Sequence, residues 1–265
     1  MNPMHPNLDN TLRIVKLCEQ IVGGVMTGDN DKKDLEQLFT SLDDLLFVSN
    51  EETIDVVLSG LKLRGIHDSL LMIRAEYEHD REVHLARAII EKGDTSPLQD
   101  FRSTGWYEEA HDFENDILAQ FSPKRIMVVG SGPFPTTALS LMNAFPHATI
   151  TSVERNEEAC LLSKQVAQVY GCSNLQVLYK DGRTITDFSN YDVIIVGTMV
   201  GVVEKKSVIE HFLRHVPEST TLIFRTAIGP GRIIYPMITH LFGDIKHQVF
   251  HNPPQKTFTM ILTER

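Results

Sequence analysis

Arg125-Ile-Met-Val-Val-Gly-Ser-Gly-Pro-Phe-Pro-Thr136 is the stretch on which the reading of the whole chain turns. Its apolar run, Ile126 to Val129, predicts a short buried strand. Gly130-Ser131-Gly132 turns the chain, and residues 137–143 begin a helix. Glycine suits such a turn because a ligand can approach the backbone closely only where Cβ is absent. Downstream, Ala148-Thr-Ile-Thr-Ser-Val153 predicts a second strand, closed by Glu154. Strand, glycine turn, helix, strand and terminal acid together make a nucleotide-binding βαβ unit, with the acid placed for ribose hydroxyls.

Two cofactor classes use this arrangement. The dinucleotide fingerprint G-x-G-x-x-G needs a third glycine for close helix–strand packing, and that position is Pro135. The fingerprint therefore fails. An S-adenosylmethionine site needs only the first two glycines and the acid, and this chain has both. Pro133-Phe134-Pro135 is unusual for an ordinary methyltransferase. It stiffens the loop and is expected to put an aromatic ring near the cofactor. A nucleotide-fold turn that binds nothing is the alternative, and the offset of Glu154 weighs against it.

At 265 residues the chain is long enough for one large or two modest domains. Its 42% hydrophobic and 23% charged composition is that of a soluble globular protein. A formal charge of -10 argues against nucleic acid and against an anionic membrane surface as partners. No signal-like segment follows Met1, and no apolar run approaches membrane-spanning length. Cys18, Cys160 and Cys172 are scattered without paired ligand spacing, so reduced cysteines and a cytoplasmic location are expected.

Residues 7–121 carry helical periodicity only, over Leu8 to Val25, Lys32 to Phe47, Glu51 to Leu63 and His67 to Lys92. A further helix follows Thr95-Ser96-Pro97, with Trp106, Ala110, Phe113, Ile117 and Phe121 on one face. After Phe121-Ser-Pro-Lys124, strands are expected at 125–129, 148–153, 175–179, 192–197 and 220–225, with helices between them. A closing pair, 247–250 and 257–262, suggests an antiparallel edge strand. The expected fold is α/β: a Rossmann-like, doubly wound sheet of the class I S-adenosylmethionine-dependent transferase type over 122–265, behind an all-helical domain over 1–121.

Ligands of open α/β sheets bind outside the carboxyl ends of the strands. That rule selects the loop from Gly130 through Ser131, Gly132, Pro133, Phe134 and Pro135 to Thr136, and Glu154-Arg155-Asn156 after the second strand. It also selects Asp181-Gly182, Gly197-Thr198-Met199 and Arg225-Thr226. Asp181 is placed to accept from an adenine amino group, or else simply turns the chain. His240, His247 and His251 lack the spacing of a metal site. On the long fourth helix, Leu71, Ala75, Glu78, Glu82, Leu85 and Ile89 form one stripe, so two carboxylates interrupt a face that should be buried. Either they pair with Arg74 and Arg81, or one faces a site. Trp106-Tyr107 opens the next helix and offers a phenol to the same cleft.

Three motifs carry a family resemblance: the double-proline loop Val129-Gly-Ser-Gly-Pro-Phe-Pro-Thr136, the segment Arg102 to Tyr107, and Arg225-Thr-Ala-Ile-Gly229 followed by Tyr235. With these the chain resembles the nicotianamine synthase-like family over roughly residues 65 to 262. The family includes plant and archaeal nicotianamine synthases and the bacterial synthases of opine metallophores such as staphylopine and pseudopaline. The resemblance implies transfer of the 3-amino-3-carboxypropyl (aminobutanoyl) group of S-adenosylmethionine, with methylthioadenosine leaving.

By the same resemblance the family's key glutamate matches Glu82 and its tyrosine matches Tyr107, giving the catalytic pair, with Glu78 as the control. Arg225, Thr226 and Tyr235 would contact substrate. The compact helical front resembles the bacterial opine-type enzymes, which implies a single transfer to an amino acid, histidine first, with nicotianamine-like condensation next. No metal is implied for the protein itself, and a separate opine dehydrogenase would consume the product. A homodimer is compatible, though no long heptad seam is present. The competing expectations are a small-molecule methyltransferase on the same fold, and a cofactor-binding partner subunit without turnover.

Overall fold

Capping residues delimit the helical front. The structure, a computed structural model, describes residues 7–100, 104–202, 204–251 and 258–263. Asn7 caps α1 (Leu8–Thr27) by accepting from the Asn10 amide, and Gly28 ends it in the left-handed conformation at φ 75°. Asp31 and Asp34 close a reciprocal capping box at the start of α2 (Lys32–Phe47). Asn50 caps α3 (Glu51–Leu63), and α4 (His67–Lys92) ends at Gly93. The expected bounds of α2, α3 and α4 are reproduced, and α1 runs two residues past Val25. Helix α5 (Thr104–Ala119) buries Ile117 and Leu118, while Phe121, expected on its apolar face, lies beyond the helix end and is exposed.

From β1 (Arg125–Val129) onward, strands and helices alternate: α6 (Thr136–Ala144), β2 (Thr149–Glu154), α7 (Glu157–Val169), β3 (Leu175–Tyr179), β4 (Val193–Val196), α8 (Lys205–His215) and β5 (Thr221–Ala227). These five strands are parallel, and β6 (His247–His251) and β7 (Phe258–Thr263) complete one seven-stranded sheet in the order β3-β2-β1-β4-β5-β7-β6. The fold is therefore the Rossmann-like α/β sheet expected.

One detail differs. The antiparallel strand β7 pairs with both β5 and β6, so it lies inside the sheet and β6 forms the edge. Polarity explains the order. Phe-Thr-Met-Ile-Leu-Thr suits a position paired on both sides, with Ile261 fully buried, whereas His-Gln-Val-Phe-His suits an edge.

Helices and sheet share cores. Ile14, Phe39, Leu42, Ile54 and Leu61 from the first three helices pack with Ile233, Ile234 and Tyr235 from the segment after β5. The later half of α4 presents Leu85, Ala86 and Ile89 to Phe134, Leu139 and Val166 beside the glycine loop. This second contact lays α4 across the carboxyl ends of the strands and puts its carboxylates where the sheet binds ligands.

Candidate active site

A cavity of about 650 Å³ opens at the carboxyl ends of β1, β2 and β4 and is closed on the other side by α2, α4 and α5. Gly130 and Gly132 have φ of +79° and +67°, which a side chain rarely adopts. The turn is fastened to β2 by the Gly130 amide, which donates to the Val153 carbonyl at 2.8 Å. Glu154 completes it: Oε2 accepts from the Gly132 amide at 3.0 Å and Oε1 from the Asn156 amide at 2.9 Å. Each oxygen keeps a lone pair for a further donor, which is the chemistry a ribose diol needs. The Ser131 hydroxyl is buried on the cavity wall without a partner among the described residues.

The double-proline segment acts differently from its expected role. Phe134 is 3% exposed and packs against α4 and α7 rather than facing the cavity; Pro133 and Pro135 are likewise absent from the cavity wall. The ring thus joins loop to helix. Chain direction changes again at Thr136, which returns to the wall as the first residue of α6. The apolar helix face that receives Phe134 is the same stripe that carries Glu78 and Glu82, so the loop and the carboxylates are held in one register.

Glu78 and Glu82 turn out to have different environments. Glu78 accepts from Arg74 Nε at 2.8 Å and from the Tyr235 hydroxyl in a short hydrogen bond. Arg74, buried, also reaches both Asp43 oxygens at 3.2 Å and the Tyr235 oxygen at 3.0 Å. Glu82 lines the cavity with no hydrogen bond or ion pair to any described residue. Burial, then the charges of Glu78 and Glu154, hold its carboxyl well above the usual carboxylate range, with Arg81 pulling the other way. A carboxyl in this setting binds a proton more readily than an exposed one.

The remaining strand ends converge as the rule predicts, though several side chains are already engaged. Asp181 lines the cavity, but Arg183 holds its carboxylate through contacts of 2.7–3.2 Å and depresses its pKa. Gly182 has no room for a side chain, since an added Cβ would lie 2.8 Å from Val129 Cγ1. Asn156 spends its side chain capping α7, and Arg155, largely exposed, approaches Glu204 at 3.8 Å. Gly197 and Thr198 form the wall beside Gly130.

Arg225 reaches the cavity but is clamped by Glu114 through Nε at 2.6 Å and Nη2 at 2.5 Å. Thr226 is fully buried away from the wall, where its Oγ1 accepts from the Ile238 amide at 2.9 Å. That hydrogen bond gives it a structural part in place of the expected substrate contact. Tyr107 belongs to α5, but its side chain lies outside the described residues, as does Arg102 altogether.

Sequence reasoning missed His111, Glu114 and Asp43, all on the cavity wall. His111 sits 3.4 Å from Thr137 Oγ1, and burial followed by the Arg225 charge pushes its pKa down to about 3, so it is neutral. Glu114 had a visible signal: a carboxylate one position after Phe113 on a helix whose packed face continues to Ile117.

Comparison with known proteins now adds to this geometry. A family model described as "Nicotianamine synthase protein" matches residues 10–263. Nicotianamine synthase 2 of Oryza sativa subsp. japonica is 26% identical over 218 residues, 77% of this chain and 66% of the rice protein. Nicotianamine synthase 9 of Hordeum vulgare is 22% identical over 229 residues, covering 80% and 67%. The chain thus spans about two thirds of the length of these plant relatives. Among solved structures, a glutamate-to-glutamine mutant of MtNAS in complex with S-adenosylmethionine superimposes with a TM-score of 0.81 at 20% identity, covering 96% of this chain and 97% of that one. MtNAS in complex with MTA and tNA gives 0.77 at 20% identity, covering 95% and 96%. These likenesses support the same fold from end to end.

Proposed function

The chain belongs to the nicotianamine synthase family, and from that premise we propose that it transfers the aminobutanoyl group of S-adenosylmethionine to the amine of an amino acid, histidine first. The observation that carries the reading is Glu82: a carboxyl on the cavity wall beside the glycine loop, with no hydrogen bond or ion pair to a described residue and a raised affinity for protons. The residues also fit the donor. Glu154 keeps acceptor capacity for ribose hydroxyls, and Ser131 offers a buried hydroxyl.

When bound, the sulfonium supplies three electrophilic carbons and a neutral thioether leaving group. Orientation decides which carbon the nucleophile meets. A neutral acceptor amine attacks the γ-carbon of the methionyl arm. The new C–N bond forms as the C–S bond breaks, and that electron pair stays on sulfur. The proton lost by the amine goes to Glu82 and from there to water. Arg74, Glu78, Asp43 and Tyr235 form a rigid polar wall on the acceptor side. The helical part, residues 1–121, is accordingly the acceptor domain in this reading, and 122–265 the donor domain. A dedicated dehydrogenase consuming the product belongs to the same proposal.

A second reading, condensation of aminobutanoyl units into a nicotianamine-like product, is favoured by the names of the curated plant relatives. Mass spectrometry separates the two. Incubation with S-adenosylmethionine and L- or D-histidine is expected to yield methylthioadenosine and histidine heavier by one aminobutanoyl unit. Methylthioadenosine with donor-only condensation products would instead establish the second reading. S-adenosylhomocysteine formation in place of methylthioadenosine would overturn both.

A further inference from the structure

Lys205 is the one cation in the described structure whose place the proposed reaction does not explain and local stability does not favour. It is the first residue of α8, where the positive end of the helix dipole disfavours a cation. It is 5% exposed, and burial pushes its ammonium down to about 7. Among the described residues no carboxylate pairs with it. The neighbouring Glu204 is taken by Arg183 at 2.5 Å and approached by Arg155 at 3.8 Å, and Lys206 faces Glu210. Instead, Lys205 Nζ donates to three backbone carbonyls of one short loop: Gly197 at 3.1 Å, Thr198 at 2.7 Å and Val200 at 3.0 Å.

That loop follows β4, and Gly197, Thr198, Met199, Val200 and Gly201 all face the cavity. It is also interlocked with the glycine turn. A Cβ on Gly130 would lie 2.2 Å from Val200 Cγ2, so Val200 fills the space the missing side chain leaves. Three carbonyls drawn onto one ammonium fix the peptide planes of the loop, which otherwise has one internal hydrogen bond, from the Val200 amide to the Gly197 carbonyl at 3.3 Å. A buried charge is costly, and it persists where the surrounding groups use all of its donors.

We propose that Lys205 is a positioning residue: it holds the loop 197–201 against the glycine turn and so shapes the donor half of the cavity before any ligand arrives. Its consequence for donor binding rests on the reading of the cavity as an S-adenosylmethionine site. Preorganisation of this kind lowers the ordering cost that binding must meet and leaves the chemical step alone.

The test compares Lys205→Met, which keeps the length and apolar stem, with the exposed Lys206→Met as control. Hydrogen exchange of the ligand-free proteins is measured at residues 197–201. The Lys205 variant is expected to exchange there at least tenfold faster, with no change in β1 or β2, and the control is expected to match the parent. Unchanged exchange at 197–201 overturns the proposal. Global acceleration is met by the parallel variant Lys205→Arg, which keeps the charge and is expected to protect the loop better than Met does; equal protection by both overturns the proposal. In the binding arm, Kd and KM for S-adenosylmethionine are expected to rise at least tenfold while kcat at saturation stays within threefold. An unchanged Kd, or a loss confined to kcat, also overturns it. A parent protein that fails to bind S-adenosylmethionine at all would sink the functional reading, and the exchange arm would still decide the role of Lys205.

Discussion

The carboxylate of Glu82 occupies the space that a side chain on Gly132 would need: a Cβ built there would lie 2.5 Å from Glu82 Oε2. The helical front and the glycine turn therefore come into close approach here, and the missing methyl group is what allows it. Gly132→Ala is expected to force Glu82 away and to strain a backbone at φ +67°. The strain alone costs about 1–2 kcal/mol. Turnover should fall by at least two orders of magnitude, roughly 3 kcal/mol of transition-state stabilisation. A steady-state assay on folded variant checks this, and retention of more than a tenth of parental kcat/KM would count against it.

Glu82→Gln removes the proposed proton acceptor while keeping the shape. Turnover is expected to fall about a hundredfold or more, in the range of a lost general base, with donor affinity within a few-fold. In the parent, kcat/KM should rise with pH through a value above the ordinary carboxylate range, and that limb should be absent in the variant.

Stability follows with the opposite sign. A carboxyl whose folded pKa is raised favours folding fully below its unfolded pKa and loses that contribution as pH rises through the folded value. The ligand-free Gln variant should therefore be more stable than the parent at neutral and alkaline pH, by about 1 kcal/mol, and this gain should vanish at low pH. Thermal denaturation across pH reads it directly.

Arg225 and Glu114 form a largely buried pair at the cavity edge. Removing one partner strands the other, so Glu114→Leu or Arg225→Met alone should cost about 3 kcal/mol. The double variant should recover most of that loss. Denaturant titrations of the four proteins give the coupling energy; additive losses would show that the two residues act independently.

Phe134→Ala should destabilise by about 3–5 kcal/mol, because it empties a site enclosed by α4 and α7. Since the ring is off the cavity wall, S-adenosylmethionine affinity of the folded fraction should change less than threefold. Calorimetric titration below the melting temperature separates the two effects. A large affinity loss with little change in stability would return the ring to the ligand.

Local signals accounted for most of what was legible in advance. Helix bounds were written in caps such as Asp31 and Asn50 and in apolar spacing, and the strand ends named the cavity loops because open α/β sheets place them there. Side-chain commitments were not legible. Arg225 and Asp181 carry the right chemistry for ligands, yet each has a partner, Glu114 or Arg183, and only the Glu114 pairing is distant in sequence. Phe134 could not be assigned a face without knowing that Leu85 and Ile89 would lie across it. The ambiguity of Glu78 and Glu82 was real, and packing of Tyr235 against α4 separates them. The order β5-β7-β6 was likewise hidden, because strand pairing depends on neighbours far along the chain.

That order bears on how the molecule is made. β5 stays bare along one side until β7, the last strand of the sheet in sequence, has been synthesised, and β6 has nothing to pair with before then. During translation the parallel half can assemble while its growing edge waits, an exposed template for other chains. The hairpin must then dock as a unit, a long-range event that favours slow completion over rapid collapse. Sensitivity of soluble yield to changes in β7 is the expected consequence of this topology, before any question of catalysis arises.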